Sequence, residues 1–387
     1  MQSFSRVMAA AACSALVLGA SGAFAEERGI SDNEIVVGDI LPLSGPPALL
    51  GVAHNLGVKV AVGEANAQGG INGRKLRLIS EDDGYVVSRT LQGLRKLINN
   101  DRVFALTSLS GATQGQAALS LIKQDGMPTI STISFAPELY QPVVKNVFAI
   151  GTLHPMQVAE VVRTMAARFP NRKWAVVTQD DEYGELARKG FEDAQRELKL
   201  QVVSASIYKK GQTDFSAEIL KAKEAGAEAI YAGGLISENV AMAKELERLG
   251  MKIPIGVSYV SNVPAMLKLM GTAGENVFTA DYVAAPDSAQ GKTFMQVAKS
   301  VLTEDEVKRI NRFTFSGYAG ARVLFEAMRR CGKALTAACT IEKLETMKDY
   351  DTGVTSPVSF TTTSHLALPK LRLLKSDPAS MTFRPVD

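Results

Sequence analysis

The chain has 387 residues, which is long enough for two domains of ordinary size. Its 43 basic and 40 acidic residues leave a net charge of +3. This near-neutral balance gives no reason to expect nucleic acid or an anionic membrane surface as a partner.

The first 25 residues have the three-part layout of a secretory signal peptide. Arg6 is their only charged residue, and an apolar run follows from Val7 to Ala20. Small residues at Ala23 and Ala25 stand before two glutamates, which predicts cleavage after Ala25. The run is shorter than the ~20 apolar residues of a membrane-spanning helix. We therefore predict a periplasmic protein that is exported and not embedded in the membrane.

From Glu34 onward, short runs rich in β-branched residues alternate with segments whose apolar residues recur at helical spacing. The first set of predicted strands is Ile35–Leu41, Lys75–Ser80, Val103–Thr107, Pro128–Ser131 and Val147–Gly151. The predicted helices between them are a segment ending near Gln68, then Ser88–Asn99 and Thr113–Asp125.

A second set with the same alternation follows. Its predicted strands are Trp174–Thr178, Gln201–Tyr208, Ala229–Ala232 and Ile253–Val257. Its predicted helices are Gly184–Leu198, Asp214–Ala225 and Asn239–Leu249. The C-terminal part adds a strand at Val277–Val283, helices at Gly317–Arg330 and Ile341–Met347, and β-rich segments at Val358–Phe360 and Leu371–Lys375.

This order predicts an α/β protein. Strands that alternate with helices of about 10–15 residues form parallel sheets with crossover helices, and two such runs predict two doubly wound parallel-sheet lobes. The C-terminal tail has too few elements for a third domain, so we expect it to complete the two lobes. The predicted N-terminal lobe is 26–150 plus 281–350, and the C-terminal lobe is 151–280 plus 351–387. Hinge strands are expected near Phe148–Gly151, Phe278–Val283 and Thr355–Phe360.

Two cysteines, Cys331 and Cys339, follow the predicted signal peptide. An exported protein meets an oxidising compartment, which favours a disulfide between them over two unrelated buried thiols. No third or fourth metal ligand is close to them in the sequence, so we expect no metal site.

The sequence carries no catalytic constellation. The histidines His54, His154 and His365 are scattered, and none belongs to a His-Glu-x-x-His zinc motif. There is no Gly-x-Gly-x-x-Gly after the first strand, no phosphate-binding loop and no Gly-x-Ser-x-Gly nucleophile elbow. We therefore expect a protein that is not an enzyme, has no catalytic residues and binds no cofactor.

Six short motifs occur in an order that resembles the leucine/isoleucine/valine-binding proteins, which are type I periplasmic binding proteins of ABC importers. They are Leu43-Ser44-Gly45-Pro46, Ala67-Gln68-Gly69-Gly70-Ile71-Asn72-Gly73, Glu81-Asp82-Asp83, Ala136-Pro137-Glu138-Leu139, Asp181-Glu182-Tyr183-Gly184 and Tyr231-Ala232-Gly233-Gly234. The resemblance implies a monomeric solute-binding protein whose lobes close on a small molecule like a Venus flytrap. It would deliver that molecule to the permease subunits of an ABC transporter. The alternative is a ligand-sensing receptor module of the same fold, acting on a signalling partner.

Ligand sites in open α/β sheets lie beyond the carboxyl ends of the strands, where helix N-termini offer free amides to a carboxylate. In the first lobe this rule selects Ser44, Ser110, Gly111, Thr113, Ser131, Ile133, Ser134 and Phe135. Plain helix capping is the alternative role for the hydroxyls near Gly111. In the second lobe the corresponding candidates are Tyr183, Leu235, Ser258 and Tyr259.

Several candidates depart from the amino acid binders. By the resemblance, the position of Ser258 carries an acid that receives the ligand's ammonium group, and the position of Phe135 carries a threonine. Leu235 and Leu50 stand where those proteins have aromatic residues. A buried ammonium without a partner is costly. We therefore hypothesise a carboxylate without an α-ammonium group, such as an aromatic or aliphatic acid, with Asp281 or Glu238 as alternative sources of the missing charge.

Overall fold

The computed structural model describes residues 27–109 and 111–386. The predicted signal peptide with its cleavage site, and the candidate Ser110, lie outside these residues. Within the described ranges, no helix combines the length and the apolar character that crossing a membrane requires.

The strands and helices alternate through most of the chain. The strands are β1 Glu34–Leu41, β2 Lys75–Asp82, β3 Ala105–Leu109, β4 Thr129–Ser131, β5 Val147–Ile150, β6 Lys173–Gln179, β7 Gln201–Tyr208, β8 Ala229–Gly233, β9 Ile255–Gly256, β10 Val277–Asp281, β11 Leu366–Ala367, β12 Arg372–Asp377 and β13 Thr382–Pro385. The helices are α1 Ala48–Ala67, α2 Val87–Asn99, α3 Ala112–Asp125, α4 His154–Arg168, α5 Glu182–Leu198, α6 Ser216–Glu224, α7 Ile236–Arg248, α8 Pro264–Met270, α9 Ala289–Val301, α10 Glu304–Val307, α11 Arg312–Arg330 and α12 Ala337–Glu345.

The strands form two sheets, which confirms the predicted α/β fold of two lobes. The first sheet has the order β11-β5-β4-β3-β1-β2, and all of its neighbours are parallel. The second has the order β13-β12-β10-β9-β8-β6-β7 and is parallel except for β12 and β13 at one edge. Helices cover both faces of parallel sheets, which explains why β1 is almost wholly buried.

Within the described residues, the chain passes between the sheets after β5, after β10 and after β11. The first two passages lie where the sequence analysis expected hinges. The third was expected at Thr355–Phe360 but follows β11 instead. That segment is β-rich, yet it forms only isolated bridges, of which Thr355 pairs with Val283. The sequence predicted that all residues from 351 onward belong to the second lobe. Residues 366–367 instead belong to the first sheet, because β11 pairs with β5.

Four helices were missed by the sequence analysis: α4, α8, α9 and α10. The predicted helix at Gly317–Arg330 also begins earlier, at Arg312. Asn311 and Thr314 form a capping box there, in which each side chain bonds the other residue's backbone N–H. Position 317 inside this helix is a glycine because α1 packs too tightly against it for a side chain. A Cβ at Gly317 would stand 2.3 Å from the carbonyl oxygen of His54.

The first lobe contains a disulfide and a buried carboxyl group. Cys331 and Cys339 form a bond with an S–S distance of 2.06 Å, linking the end of α11 to α12. Asp39, on β1, is completely buried and accepts a hydrogen bond from Asn55 Nδ2 at 2.9 Å. Burial raises the pKa of Asp39 to about 6, against the opposing effect of its hydrogen bonds from Asn55 and Ser80.

Candidate ligand-binding site

A cavity lies between the lobes and has about 550 Å³ of space between atoms, including its opening to solvent. The first lobe contributes Pro42, Pro47, Leu50, Tyr85, Gly111, Ala112, Ile133, Phe135 and Phe313 to its wall. The second lobe contributes His154, Tyr183, Leu235, Tyr259 and Val260. Nearly all of these follow the carboxyl end of a parallel strand, where α/β proteins place their ligands. No Asp, Glu, Lys or Arg occurs among the described lining residues.

The structure brings six of the predicted site residues together in this wall, namely Gly111, Ile133, Phe135, Tyr183, Leu235 and Tyr259. The other described candidates lie around the cavity without lining it. Ser44 is exposed and bonds Asp82. The hydroxyl groups of Ser131 and Ser134 bond backbone atoms of the neighbouring loops. These serines therefore shape the first-lobe loops.

Asp281 was predicted as a source of negative charge for a ligand's ammonium group, and the structure gives its carboxylate another partner. Its carboxylate is completely buried and accepts two hydrogen bonds from Arg312, at 2.8 Å and 2.7 Å. Asn262 Nδ2 donates a further bond at 2.6 Å. Because a guanidinium already neutralises this carboxylate, it is not available to a ligand's ammonium group. The sequence analysis missed this pairing because it took Arg312 to precede the helix.

Arg312 also connects this ion pair to the cavity wall. Its guanidinium carbon lies 4.8 Å from the ring centroids of both Tyr259 and Phe313, which line the cavity. A cation over an aromatic face is attracted to it. The buried ion pair therefore supports two of the rings that a ligand would contact.

The N-terminus of α3 opens onto the cavity at Gly111 and Ala112. The first amides of a helix have no partner within the helix, and no side chain caps this one. Gly111 has a φ of 45°, and a Cβ there would stand 2.3 Å from Gln114 Oε1. A glycine is therefore needed at this position, and the first turn of α3 begins beside the cavity, where helix amides suit an anion.

Tyr85 was missed by the sequence analysis, although it follows β2 closely. Its φ of 64° is unusual for a bulky residue and marks strain that the surroundings must hold. Its backbone N–H donates to Asp83, and its carbonyl accepts from Gln114 at 2.9 Å and from Lys210 at 3.2 Å. The rule that ligands bind beyond the carboxyl ends of strands, here called the strand-end rule, selects Tyr85 when it is applied to β2 as well as to β3 and β4.

His154 was also missed as a site residue. It begins α4 just after the hinge strand β5, and its ring stacks on Tyr183 with centroids 4.4 Å apart. The hydroxyl group of Tyr183 is bonded to Ser258 Oγ at 2.5 Å. Burial raises the pKa of Tyr183 well above its usual range, so the phenol stays protonated. Ser258 thus holds Tyr183 in place from behind the wall.

Phe135 occupies the floor of the cavity at the hinge. Gly151, directly after β5, lies under its ring, and a Cβ there would stand 2.2 Å from a ring carbon. The rings of Tyr259 and Tyr282 meet Phe135 edge-on at 5.7 Å and 6.1 Å. The structure thus fixes this ring from both lobes.

The lobes also contact each other around the cavity. Thr113 on α3 donates to Glu182 on α5 at 2.8 Å. The ammonium group of Lys210 lies 4.0 Å from the ring centroid of Tyr85. Tyr259 donates to the carbonyl of Ile133 at 3.2 Å. Among the residues that the structure describes, no cluster of His, Cys, Asp and Glu side chains is suited to a metal ion.

Comparisons with known proteins agree on the kind of fold. The sequence model of the family described as periplasmic binding protein matches residues 34–380. A "Leu/Ile/Val-binding protein homolog 3" of Brucella melitensis is 24% identical over 368 residues, which cover 94% of this chain and 97% of that protein.

Two solved structures are similar across nearly the whole chain. A branched chain amino acid ABC transporter protein from Thermus thermophilus with bound valine has a TM-score of 0.83, with 20% identity, and the match covers 92% of this chain and 96% of that one. A fatty acid ABC transporter substrate-binding protein from Thermomonospora curvata also has a TM-score of 0.83, with 21% identity and coverage of 94% and 93%. At these identities the likeness shows the fold alone.

Proposed function

The chain belongs to the periplasmic binding protein family, and from this membership we propose that it is the solute-binding component of an ABC importer. Proteins of this kind bind small solutes and work with permeases, and they do not convert what they bind. In the proposal, the protein is exported with cleavage after Ala25, acts as a monomer in the periplasm and presents its solute to the permease subunits.

The observation that carries this proposal is the cavity between the lobes. It lies beyond the carboxyl ends of both sheets, and three chain passages join the lobes within the described residues. Such passages permit a hinge motion, in which an open form takes up the solute and closure excludes water. The contacts of Thr113 with Glu182 and of Lys210 with Tyr85 support closure, because each joins opposite lobes at the rim.

We propose that the solute is a carboxylate without an α-ammonium group. The amides at the start of α3 suit a carboxylate, and the described lining contains no carboxylate that would receive an ammonium. Asp281 is paired with Arg312, and Glu238 lies outside the lining with its carboxylate bonded to Ser237. Of the solutes named for the two solved structures described above, a fatty acid lacks the ammonium group for which this wall has no partner, whereas valine carries one.

A thermal-shift and calorimetry comparison of matched solutes tests this proposal. Leucine is paired with 4-methylpentanoate, and valine with 3-methylbutanoate, because each acid keeps the carbon skeleton and lacks only the ammonium group. Benzoate and phenylacetate extend the series to aromatic acids. A ligand present at 100 times its dissociation constant stabilises the folded protein by about 2.7 kcal/mol, which raises the melting temperature measurably.

We expect at least one acid of the series to raise the melting temperature, and each acid to bind more tightly than its amino acid partner. Tighter binding of leucine than of 4-methylpentanoate contradicts the proposed solute class but leaves the transport function standing. A protein that binds neither acids nor amino acids contradicts the proposed function itself.

A further inference from the structure

His154 differs from every other lining side chain in the described residues. Both of its ring nitrogens are buried and neither has a hydrogen-bond partner. The hydroxyl groups of Tyr183 and Tyr259, which line the same wall, are bonded to Ser258 and to the carbonyl of Ile133. Since buried polar atoms in native proteins nearly always have a partner, two unbonded nitrogens on a residue that lines the cavity point to a partner outside the chain.

A second histidine in the protein provides an internal comparison. His365 is equally buried and also stacked, with its ring centroid 3.9 Å from that of Phe148. Its Nδ1 lies 3.0 Å from the carbonyl of Val144, and its Nε2 lies 3.1 Å from Glu345 Oε1. Burial and stacking therefore do not prevent a histidine of this fold from using both nitrogens. His154 is the stacked histidine that borders the cavity, and it is the one left unbonded.

The surroundings of His154 determine which chemical group suits it. Burial alone lowers the pKa of His154 to about 3, so the ring is neutral at periplasmic pH. A neutral imidazole presents one N–H donor and one acceptor nitrogen. A hydroxyl group can accept from the N–H or donate to the acceptor nitrogen, so it bonds whichever ring nitrogen it meets without any change of charge. A second carboxylate could only accept from the one N–H of the ring, and it would place a further negative charge in the cavity wall, where the described lining offers no Lys or Arg to neutralise it.

We propose that His154 binds a hydroxyl group of the solute, so that the protein selects hydroxylated acids over the parent acids. The α3 amides hold the carboxylate in this arrangement, and the apolar wall contacts the carbon skeleton between the two polar ends. This inference rests on the proposed function, because it names a second recognised group on the same carboxylate solute.

Calorimetry with matched acids tests the inference on the unmodified protein. The pairs are 4-methylpentanoate with 2-hydroxy-4-methylpentanoate, benzoate with its 3- and 4-hydroxy derivatives, and phenylacetate with its hydroxyphenyl derivatives. We expect at least one hydroxylated acid to bind about tenfold or more tightly than its parent, because a site built to bond a hydroxyl group rejects the analogue that lacks it. Parent and hydroxylated acids that bind within about threefold of each other throughout overturn the inference.

Variants then assign the preference to His154. His154→Phe keeps a ring to stack on Tyr183 but removes both nitrogens, and we expect the preference for the hydroxylated acid to fall below about threefold. His154→Gln restores a donor and an acceptor and is expected to recover part of the preference. His365→Phe is the matched control, since it removes a stacked histidine that does not line the cavity and is expected to leave the ratio unchanged. A preference that survives in His154→Phe overturns the inference.

The outcomes separate the two proposals. If acids bind but hydroxylation makes no difference, the role of His154 is wrong and the transport function stands. If amino acids but no acid raise the melting temperature of the unmodified protein, the proposed solute class is wrong and the inference about His154 falls with it. If neither raises it, the proposed function itself is wrong. Should His154→Phe not fold, the ratios measured on the unmodified protein still decide whether a hydroxyl group is recognised.

Discussion

The first lobe meets the cavity mainly with loop backbone and apolar side chains, whereas the second lobe meets it with rings that carry polar atoms. Gly111 and Ala112 expose helix amides from the first lobe. His154, Tyr183 and Tyr259 bring ring atoms from the second. Under the proposed function, two lobes with the same architecture would therefore divide recognition of the solute between them. Backbone amides suit any carboxylate, while ring positions discriminate between the carbon skeletons attached to it.

The largest effect is expected where the two lobes share one ion pair. Arg312→Met leaves the completely buried carboxylate of Asp281 without its guanidinium. We expect the free energy of unfolding to fall by about 3–5 kcal/mol, because an unpaired buried charge is strongly destabilising. Urea denaturation followed by circular dichroism measures the change.

The matched control for this prediction is the double variant Asp281→Asn with Arg312→Met, in which no buried charge remains. It is expected to recover much of the lost stability. A single variant that loses less than about 1 kcal/mol contradicts the view that this ion pair joins the lobes.

The disulfide allows the stability of the first lobe to be tested apart from that of the second, because both of its cysteines lie in the first lobe. Removing it in a Cys331→Ser, Cys339→Ser variant frees a loop closed over a sequence separation of 8 residues. The entropy of a loop of this size corresponds to about 2.5 kcal/mol of lost stability. Hydrogen exchange should rise in peptides from α11 and α12 and stay unchanged in peptides from β6 and β7. An equal rise of hydrogen exchange in both lobes contradicts the prediction that the disulfide stabilises the first lobe alone.

The buried Asp39 makes the stability of the first lobe depend on pH. Its pKa is about 6 when folded and near 3.8 when unfolded, so the folded protein binds more protons between these values. The contribution of Asp39 is therefore fully present below pH 3.8 and is lost as the pH rises through 6. We expect the contribution of Asp39 to the free energy of unfolding to increase by about 1.4 kcal/mol as the pH falls from 7 to 5.

Chemical denaturation of the unmodified protein and of Asp39→Asn across this pH range measures the contribution as a difference. That difference should shift in favour of the unmodified protein as the pH falls. Parallel pH profiles for the two proteins would show that Asp39 titrates normally.

The smallest effect is expected behind the second-lobe wall. Tyr183→Phe removes one hydroxyl group and leaves Ser258 without its partner, which should cost about 1 kcal/mol. Ser258→Ala removes the other side of the same bond. In a double-mutant cycle the two changes should be less than additive, because they break one interaction. Strict additivity contradicts the bond as the support of Tyr183.

The alternation of strands and helices made the two-lobed fold predictable, since it follows from local periodicity. The strand-end rule likewise found Gly111, Phe135 and Tyr183, which line the cavity. Tyr85 and His154 were overlooked because the rule was not carried to β2 and β5. Both residues could have been predicted from the order of strands and helices, because each follows the carboxyl end of a strand.

The pairing of Asp281 with Arg312 lay beyond the sequence for a physical reason. Asp281 ends a strand of the second sheet and Arg312 begins a helix of the first lobe, so their contact depends on how the two lobes meet and not on local sequence. The third chain passage was misplaced for a similar reason. Residues 355–360 have β-rich composition, but strand formation depends on a neighbour with free backbone groups, and β5 offers its edge to Leu366–Ala367.

Gly151 links the hinge to the choice of solute. Its backbone N–H bonds the carbonyl of Ala367, and its missing side chain is the space into which the ring of Phe135 fits. A side chain at 151 would collide with the ring of Phe135, and it would also be strained by the φ of 149° that Gly151 adopts. The backbone of the hinge therefore restricts the floor of the cavity, because the space for the ring at 135 exists only while residue 151 has no side chain.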